Sequence, residues 1–221
     1  MDSVFICGAS RGIGLELASR LCAEGRRVYG ISRTPQPERP IDGLVYRSLA
    51  AEAFSLAAFP ELSAETFDTV ILNSAIFGPA TQFSFDFPAA KLKSMFETNV
   101  ISHYRVLQEI RPRINNNGSA QVWFIISKGG LQAGIRGRVA IGYRSTKAAQ
   151  IALALSLVHP LGEQGISVYL IHPGSVATRI GGVKAKLSPE DCVANMLAII
   201  SRAGDYPSGT IFEHDGRPIK P

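Results

Sequence analysis

The 221-residue chain is short of cysteine, with only Cys7, Cys22 and Cys192. The number is odd and no Cys-x-x-Cys pair occurs. This excludes a disulfide framework and leads us to expect a reducing, cytoplasmic compartment. The four histidines, His103, His159, His172 and His214, show no metal-ligand spacing, so no metal site is expected. No apolar stretch reaches the length of a membrane span, so no membrane partner is expected. Met1-Asp2 runs straight into Val4-Phe5-Ile6 and then glycines. That leaves no room for a charged segment followed by a long apolar core, and no signal peptide is expected. Repeats, low-complexity tracts and linkers are absent, so a single domain is expected. The net charge is +5, but the basic residues are scattered and no aromatic-interleaved stripe appears, which argues against nucleic acid as a partner. With 46% hydrophobic and 19% charged residues the chain is globular rather than disordered.

What the chain does have is a series of apolar runs alternating with helical periodicity. Val4–Ile6, Arg27–Ser32, Leu44–Leu49, Phe67–Asn73, Gln121–Ser127, Ile166–Ile171 and Gly209–Glu213 read as strands. Ile13, Leu17 and Leu21 share one helical face, ending at Gly25. Residues 89–111 read as a helix stopped by Pro112, and 143–158 as a helix with Pro160 just beyond. Ser188-Pro189-Glu190-Asp191 has an N-cap, a first-turn proline and first-turn acids, and opens a helix to about Ala203. Strands that are apolar throughout and alternate with helices predict an α/β fold: a parallel, doubly wound, Rossmann-type sheet with helices on both faces.

The first strand–helix turn is Gly8-Ala-Ser10-Arg11-Gly12-Ile13-Gly14. Small residues let backbone approach a pyrophosphate, and the helix N-terminus offers free N–H groups. An acid about 20 residues on would hold a ribose 2′-hydroxyl. Here that place has Ser32 and Arg33, and no acid. A 2′-phosphate suits Ser32, Arg33 and Arg11, so NADP(H) is expected over NAD(H).

Tyr143 and Lys147 stand four apart and share a helical face. An ammonium and a nicotinamide cation close to a phenol would lower its pKa from about 10. Tyr143 is then expected to exchange a proton near neutral pH. Ser127, at the end of a strand, is expected to hydrogen-bond a substrate oxygen.

With these features in place the chain resembles the short-chain dehydrogenase/reductase family over essentially its whole length. It is nearest the compact branch of C-signal-like and sniffer-type carbonyl reductases. The resemblance rests on Gly8–Gly14, Asn73-Ser74-Ala75, Asn99, Ser127, Tyr143 with Lys147, and Pro173-Gly174-Ser-Val176-Ala-Thr178. It implies a catalytic tetrad of Asn99, Ser127, Tyr143 and Lys147, with Asn99 supporting a proton relay and Lys147 also holding the ribose. It further implies cofactor contacts from Asn73, Ser74, Ala75, Pro173, Gly174, Val176 and Thr178. Two departures stand out. The family's Asn-Asn-Ala-Gly is Asn73-Ser74-Ala75-Ile76, and the adenine-contacting acid after the third strand is replaced by Ser48. The activity implied is NADPH-dependent hydride exchange with a carbonyl or alcohol of small to medium size. An epimerase, isomerase or lyase on the same scaffold, or a non-enzymatic NADP(H)-binding signalling protein, are the alternatives.

Phe77, Phe83, Phe85 and Phe87 crowd one loop, and with Leu131, Ile135 and 179–187 they are expected to line an apolar substrate pocket or pin the loop to the core. The helix through Ala148–Val158 is apolar almost all round. Such a helix needs cover on more than one side, so a homo-oligomer, dimer or tetramer, is expected, with a monomer as the other outcome.

Overall fold

The computed structural model describes residues 3–131, 140–182 and 185–219. Eight strands form one sheet: β1 Ser3–Cys7, β2 Arg27–Ser32, β3 Leu44–Ser48, β4 Thr69–Leu72, β5 Ala120–Ile125, β6 Ile166–Ile171, β7 Ile211–Phe212 and β8 Pro218–Ile219. Their order is β3-β2-β1-β4-β5-β6-β7-β8. All neighbours pair parallel except β7 and β8, which are antiparallel. The helices are α1 Gly12–Ala23, α2 Ala89–Phe96, α3 Ser102–Ile110, α4 Ile141–Ser156, α5 Val158–Gly162 and α6 Pro189–Ile200.

The strand sequences explain the two layers. Alternate residues of β1 go to opposite faces, and both sets are apolar. Val4 and Ile6 pack with Leu17 and Leu21 of α1 and with Val193 and Met196 of α6. Phe5 packs on the other face with Val106 and Ile110 of α3 and Ile151 and Ala154 of α4. Ser188 caps α6, its hydroxyl accepting from Asp191 N–H at 3.0 Å. Strand order reverses between β1 and β4, and a crevice opens there beyond the strand ends.

Some element bounds differ from the sequence reading. The expected helix over 89–111 is interrupted by a π turn, Glu97–Ile101, between α2 and α3. Pro112 sits in a 3₁₀ turn, Arg111–Arg113. Pro160 does not follow the helical region; it lies within α5, in the first turn, where a missing N–H costs nothing. Three 3₁₀ turns between 51 and 62 had no sequence signal, nor did β8, whose two residues depend on β7 for pairing. β5 ends at Ile125, so Ser127 lies in the turn beyond it.

Candidate active site

The glycine turn is shaped by contacts that leave no room for side chains. A Cβ on Gly14 would collide with Gly8 O and lie 2.6 Å from Asn73 Nδ2. Asn73 Nδ2 donates to Gly8 O at 2.9 Å, tying the end of β4 to the turn. Gly8 has φ +96°, a left-handed conformation that favours glycine, and a Cβ there would strike Ser74 N at 2.8 Å. The backbone of this turn is therefore laid bare to the crevice, at the start of α1.

A cleft of about 750 Å³ runs from this turn across the strand ends. At one end Ser10 and Ser32 share a hydrogen bond of 2.7 Å between their hydroxyls. Arg11, Arg33, Arg39 and Arg179 line the same end. Arg39 is paired with Glu16 at 2.9 Å and Arg179 with Glu38 at 3.8 Å. Among the described residues Arg11 and Arg33 have no acid partner. Thr34, Arg39 and Glu52 line the cleft too and were not singled out from the sequence. Glu52 accepts from Thr98 at 2.7 Å, and Ser48 is not among the lining residues.

At the other end stand Ser127, Tyr143, Lys147, Pro173, Gly174, Val176 and Thr178, with Asn73, Ser74 and Ala75 between the ends. Gly12 packs against Thr178, a Cβ there meeting Thr178 Cγ2 at 3.1 Å. The Ser127 hydroxyl accepts from Gly129 N–H at 3.2 Å and lines the cleft beside Tyr143. Tyr143 is held from two sides. Its N–H donates to Gln82 Oε1 at 3.0 Å, and the Phe77 ring lies 5.0 Å from its own. Gln82, fully buried, also donates to Phe77 O at 2.7 Å and so joins the loop to the start of α4. No sequence pattern pointed to it.

Burial pushes the Tyr143 phenol up to about 12, against Ser127, which pulls it down. Lys147 does not reverse this. Its Nζ lies 5.8 Å from the centre of the phenol ring and donates instead to Ile125 O and Gln150 Oε1, each at 2.8 Å. Burial also pushes the Lys147 ammonium down to about 7. In the protein alone the desolvation of the phenolate outweighs its partners.

Asn99 sits in the π turn, fully buried, and its side chain does not line the cleft. Oδ1 accepts from Ile76 N–H at 2.8 Å, and Nδ2 donates to Ile76 O at 2.9 Å and to Thr146 Oγ1 at 3.0 Å. The side chain thus clamps the strand β4 exit to α4. Ile76 contributes backbone here, where the sequence comparison expected glycine.

The phenylalanine pocket is not formed as a wall of the cleft. None of Phe77, Phe83, Phe85 and Phe87 lines it. Phe77 backs Tyr143, Phe83 packs on Phe77 at 6.2 Å, and Phe87 packs near Gly142, while Phe85 is fully exposed. Leu131 packs on the core. Arg179, Ile180 and Gly181 do line the cleft. Ile135 and residues 183–184 lie outside the described residues.

A sequence model of the short chain dehydrogenase family matches residues 2–186. Among curated relatives, 1-hydroxy-2-glutathionyl-2-methyl-3-butene dehydrogenase of Rhodococcus sp. (strain AD45) is 24% identical over 98% of both chains. The C-signal of Myxococcus xanthus is 28% identical over 69% of this chain and 91% of its own. Among solved structures, a carbonyl reductase from Pseudomonas aeruginosa PAO1 in complex with NADP superposes with a TM-score of 0.82, at 28% identity over 99% of both chains. No helix among the described residues is long and apolar enough to cross a membrane, and no three of their His, Cys, Asp or Glu side chains group to hold a metal. The match over most of the chain and the doubly wound sheet agree: this chain belongs to the short chain dehydrogenase family of oxidoreductases.

Proposed function

We propose that this chain is, as one domain, an NADP(H)-dependent reductase of a small to medium-sized carbonyl compound, or the dehydrogenase running in reverse. The observation that carries the reading is the Tyr143 phenol, with Ser127 and Lys147 beside it, at one end of a cleft whose other end is a bare glycine turn. The residues present fit the cofactor. The glycine turn has no room for Cβ atoms, and Ser10, Ser32, Arg11 and Arg33 offer donors and unpaired charge for a phosphate on the ribose. Pro173, Gly174, Val176 and Thr178 would hold the nicotinamide half, with Asn73, Ser74 and Ala75 touching the cofactor between the two ends. When bound, the cofactor supplies the hydride.

The chain's own groups supply the proton and the alignment. A phenol held well above neutral pH is protonated, the form that a reduction needs as its acid. Ser127 orients the substrate oxygen toward it. Lys147 offers positive charge as the phenolate forms, and a donor to the ribose. The part of Asn99 is to hold the β4 exit against α4, since its side chain is spent on Ile76 and Thr146. The P. aeruginosa carbonyl reductase, solved with NADP, supports the choice of cofactor and substrate class. Three free thiols suit a reducing, cytoplasmic compartment. Pairing of copies through the outer face of α4, where Ala148, Ala152 and Ser156 are exposed, completes the proposal.

The test is NADPH oxidation against a panel of ketones, aldehydes and quinones, with Tyr143→Phe as the control. The variant should keep NADPH binding and lose about 10² to 10⁴ in turnover. Wild-type turnover in Tyr143→Phe would overturn the assignment. Cofactor binding with no turnover on any substrate would favour a signalling role like that suggested by the C-signal likeness.

A further inference from the structure

A buried ammonium is tolerated where its donors find acceptors, and Lys147 is only 2% exposed. Its Nζ meets Ile125 O and Gln150 Oε1. Behind Gln150 the polar contacts continue. Gln150 Nε2 lies 2.8 Å from His103 Nδ1, and His103 Nε2 lies 2.9 Å from Ser74 Oγ. Gln150 and His103 are fully buried. Neighbouring positions on the same two helices, Val106, Leu107, Ile151 and Ala154, fill their space with hydrocarbon.

The first bond sets the direction of the rest. Lys147 donates to the Gln150 oxygen, so the amide NH₂ faces His103. His103 Nδ1 must accept, which places the ring proton on Nε2, donated to Ser74 Oγ. Ser74 lines the cleft. The row of bonds leaves the cleft at Lys147 and returns to it at Ser74, joining α4, α3 and the end of β4. An imidazolium in the middle would face one donor with another, so the row holds only while His103 is neutral. Burial, reinforced by the charge on Lys147, keeps it so, pushing the imidazole down to about 3.

The geometry points to Gln150 as a positioning residue for the proposed reaction: its amide, locked from behind by His103 and Ser74, holds the Lys147 Nζ in place and leaves its remaining donor for the cleft. This rests on the reading of Lys147 as the partner of Tyr143. The titratable groups around Lys147 are Tyr143 on its own helix, His103 on α3 and His172 beyond β6. No acid pairs with it among the described residues. The Gln150 oxygen is thus one of two acceptors that sustain the ammonium.

The test is the titration midpoint of Lys147, followed by NMR of the full chain carrying ¹³C-labelled lysine, with the signal assigned through Lys147→Arg. Gln150→Leu removes an acceptor and should lower the midpoint by about one pH unit or more, the equivalent of one hydrogen bond to a charged group. Gln150→Glu places a carboxylate beside the ammonium and should raise it. Opposite shifts support the proposal; no shift, or shifts of the same sign, overturn it. If Gln150→Leu does not fold, Gln150→Glu decides alone, by a raised or an unmoved midpoint. The readout needs no turnover. A failure here with an inactive Tyr143→Phe condemns the positioning role, whereas expected shifts with an active Tyr143→Phe condemn the reaction.

Discussion

Acidification from about pH 7 to about pH 5 should destabilise the protein through His103 in particular. The imidazole is fully buried between Gln150 and Ser74, and burial holds its pKa down to about 3. In the unfolded chain the ring titrates near 6.5. A folded-state pKa below the unfolded one gives stability that is complete above about 6.5 and is lost as pH falls toward 3. Each pH unit below 6.5 costs about 1.4 kcal/mol, so His103 removes about 2 kcal/mol by pH 5. Since pH 5 lies well above the folded-state midpoint, that figure depends almost wholly on the unfolded chain. It corresponds to a fall in Tm of about 4–8 °C for a chain of this size. His172, also pushed down by burial, to about 4, adds a loss in the same direction. Glu61 and Asp215, whose carboxylates are held below their usual range, act only at lower pH. Urea titrations at half-unit steps in pH would measure the slope. His103→Gln keeps a donor and an acceptor but cannot titrate. It should be less stable at pH 7 and show a flatter slope between pH 5 and 6.5. An unchanged slope in that variant would refute the placement of His103 as a buried neutral ring.

Ser32, Arg33 and Arg11 stand where a ribose-binding acid would be, so NADPH should bind at least about tenfold tighter than NADH, about 1.4 kcal/mol. Arg33→Asp should shrink or reverse that ratio; fluorescence titration showing equal affinities in the unmodified chain would contradict it. Gly14→Ala drives a methyl into Gly8 O and Asn73 Nδ2, and should abolish cofactor binding and lower Tm, read by calorimetry with and without NADPH. The exposed stripe of Ala148, Ala152 and Ser156 should be covered by a second copy. Light scattering should then find an oligomer at micromolar concentration that Ala152→Glu with Ser156→Lys dissociates, and a monomer before mutation would contradict the pairing.

The layers were legible in the sequence because burial on both faces leaves a local mark. Val4-Phe5-Ile6 and Val70-Ile-Leu72 are apolar without a break, and a parallel strand has no solvent face to record. The Ser188 cap and the Gly8–Gly14 turn were legible for a similar reason, since their chemistry is settled within a few residues of chain. Tyr143 and Lys147 could be paired from helical spacing alone. What spacing could not supply was the cost of burial, which depends on everything packed around a group. It holds the phenol up near 12 although Ser127 pulls it down. Gln82 and His103 reach the site from 61 and 29 residues away, to Tyr143 and Ser74. Neither has a motif of its own. Phe85 and Phe77 look alike as residues of one loop, yet one is fully exposed and the other packs on Tyr143. The sequence alone determined which residue types meet at each turn; only tertiary packing decided which polar atoms lose water, and with that loss their charge.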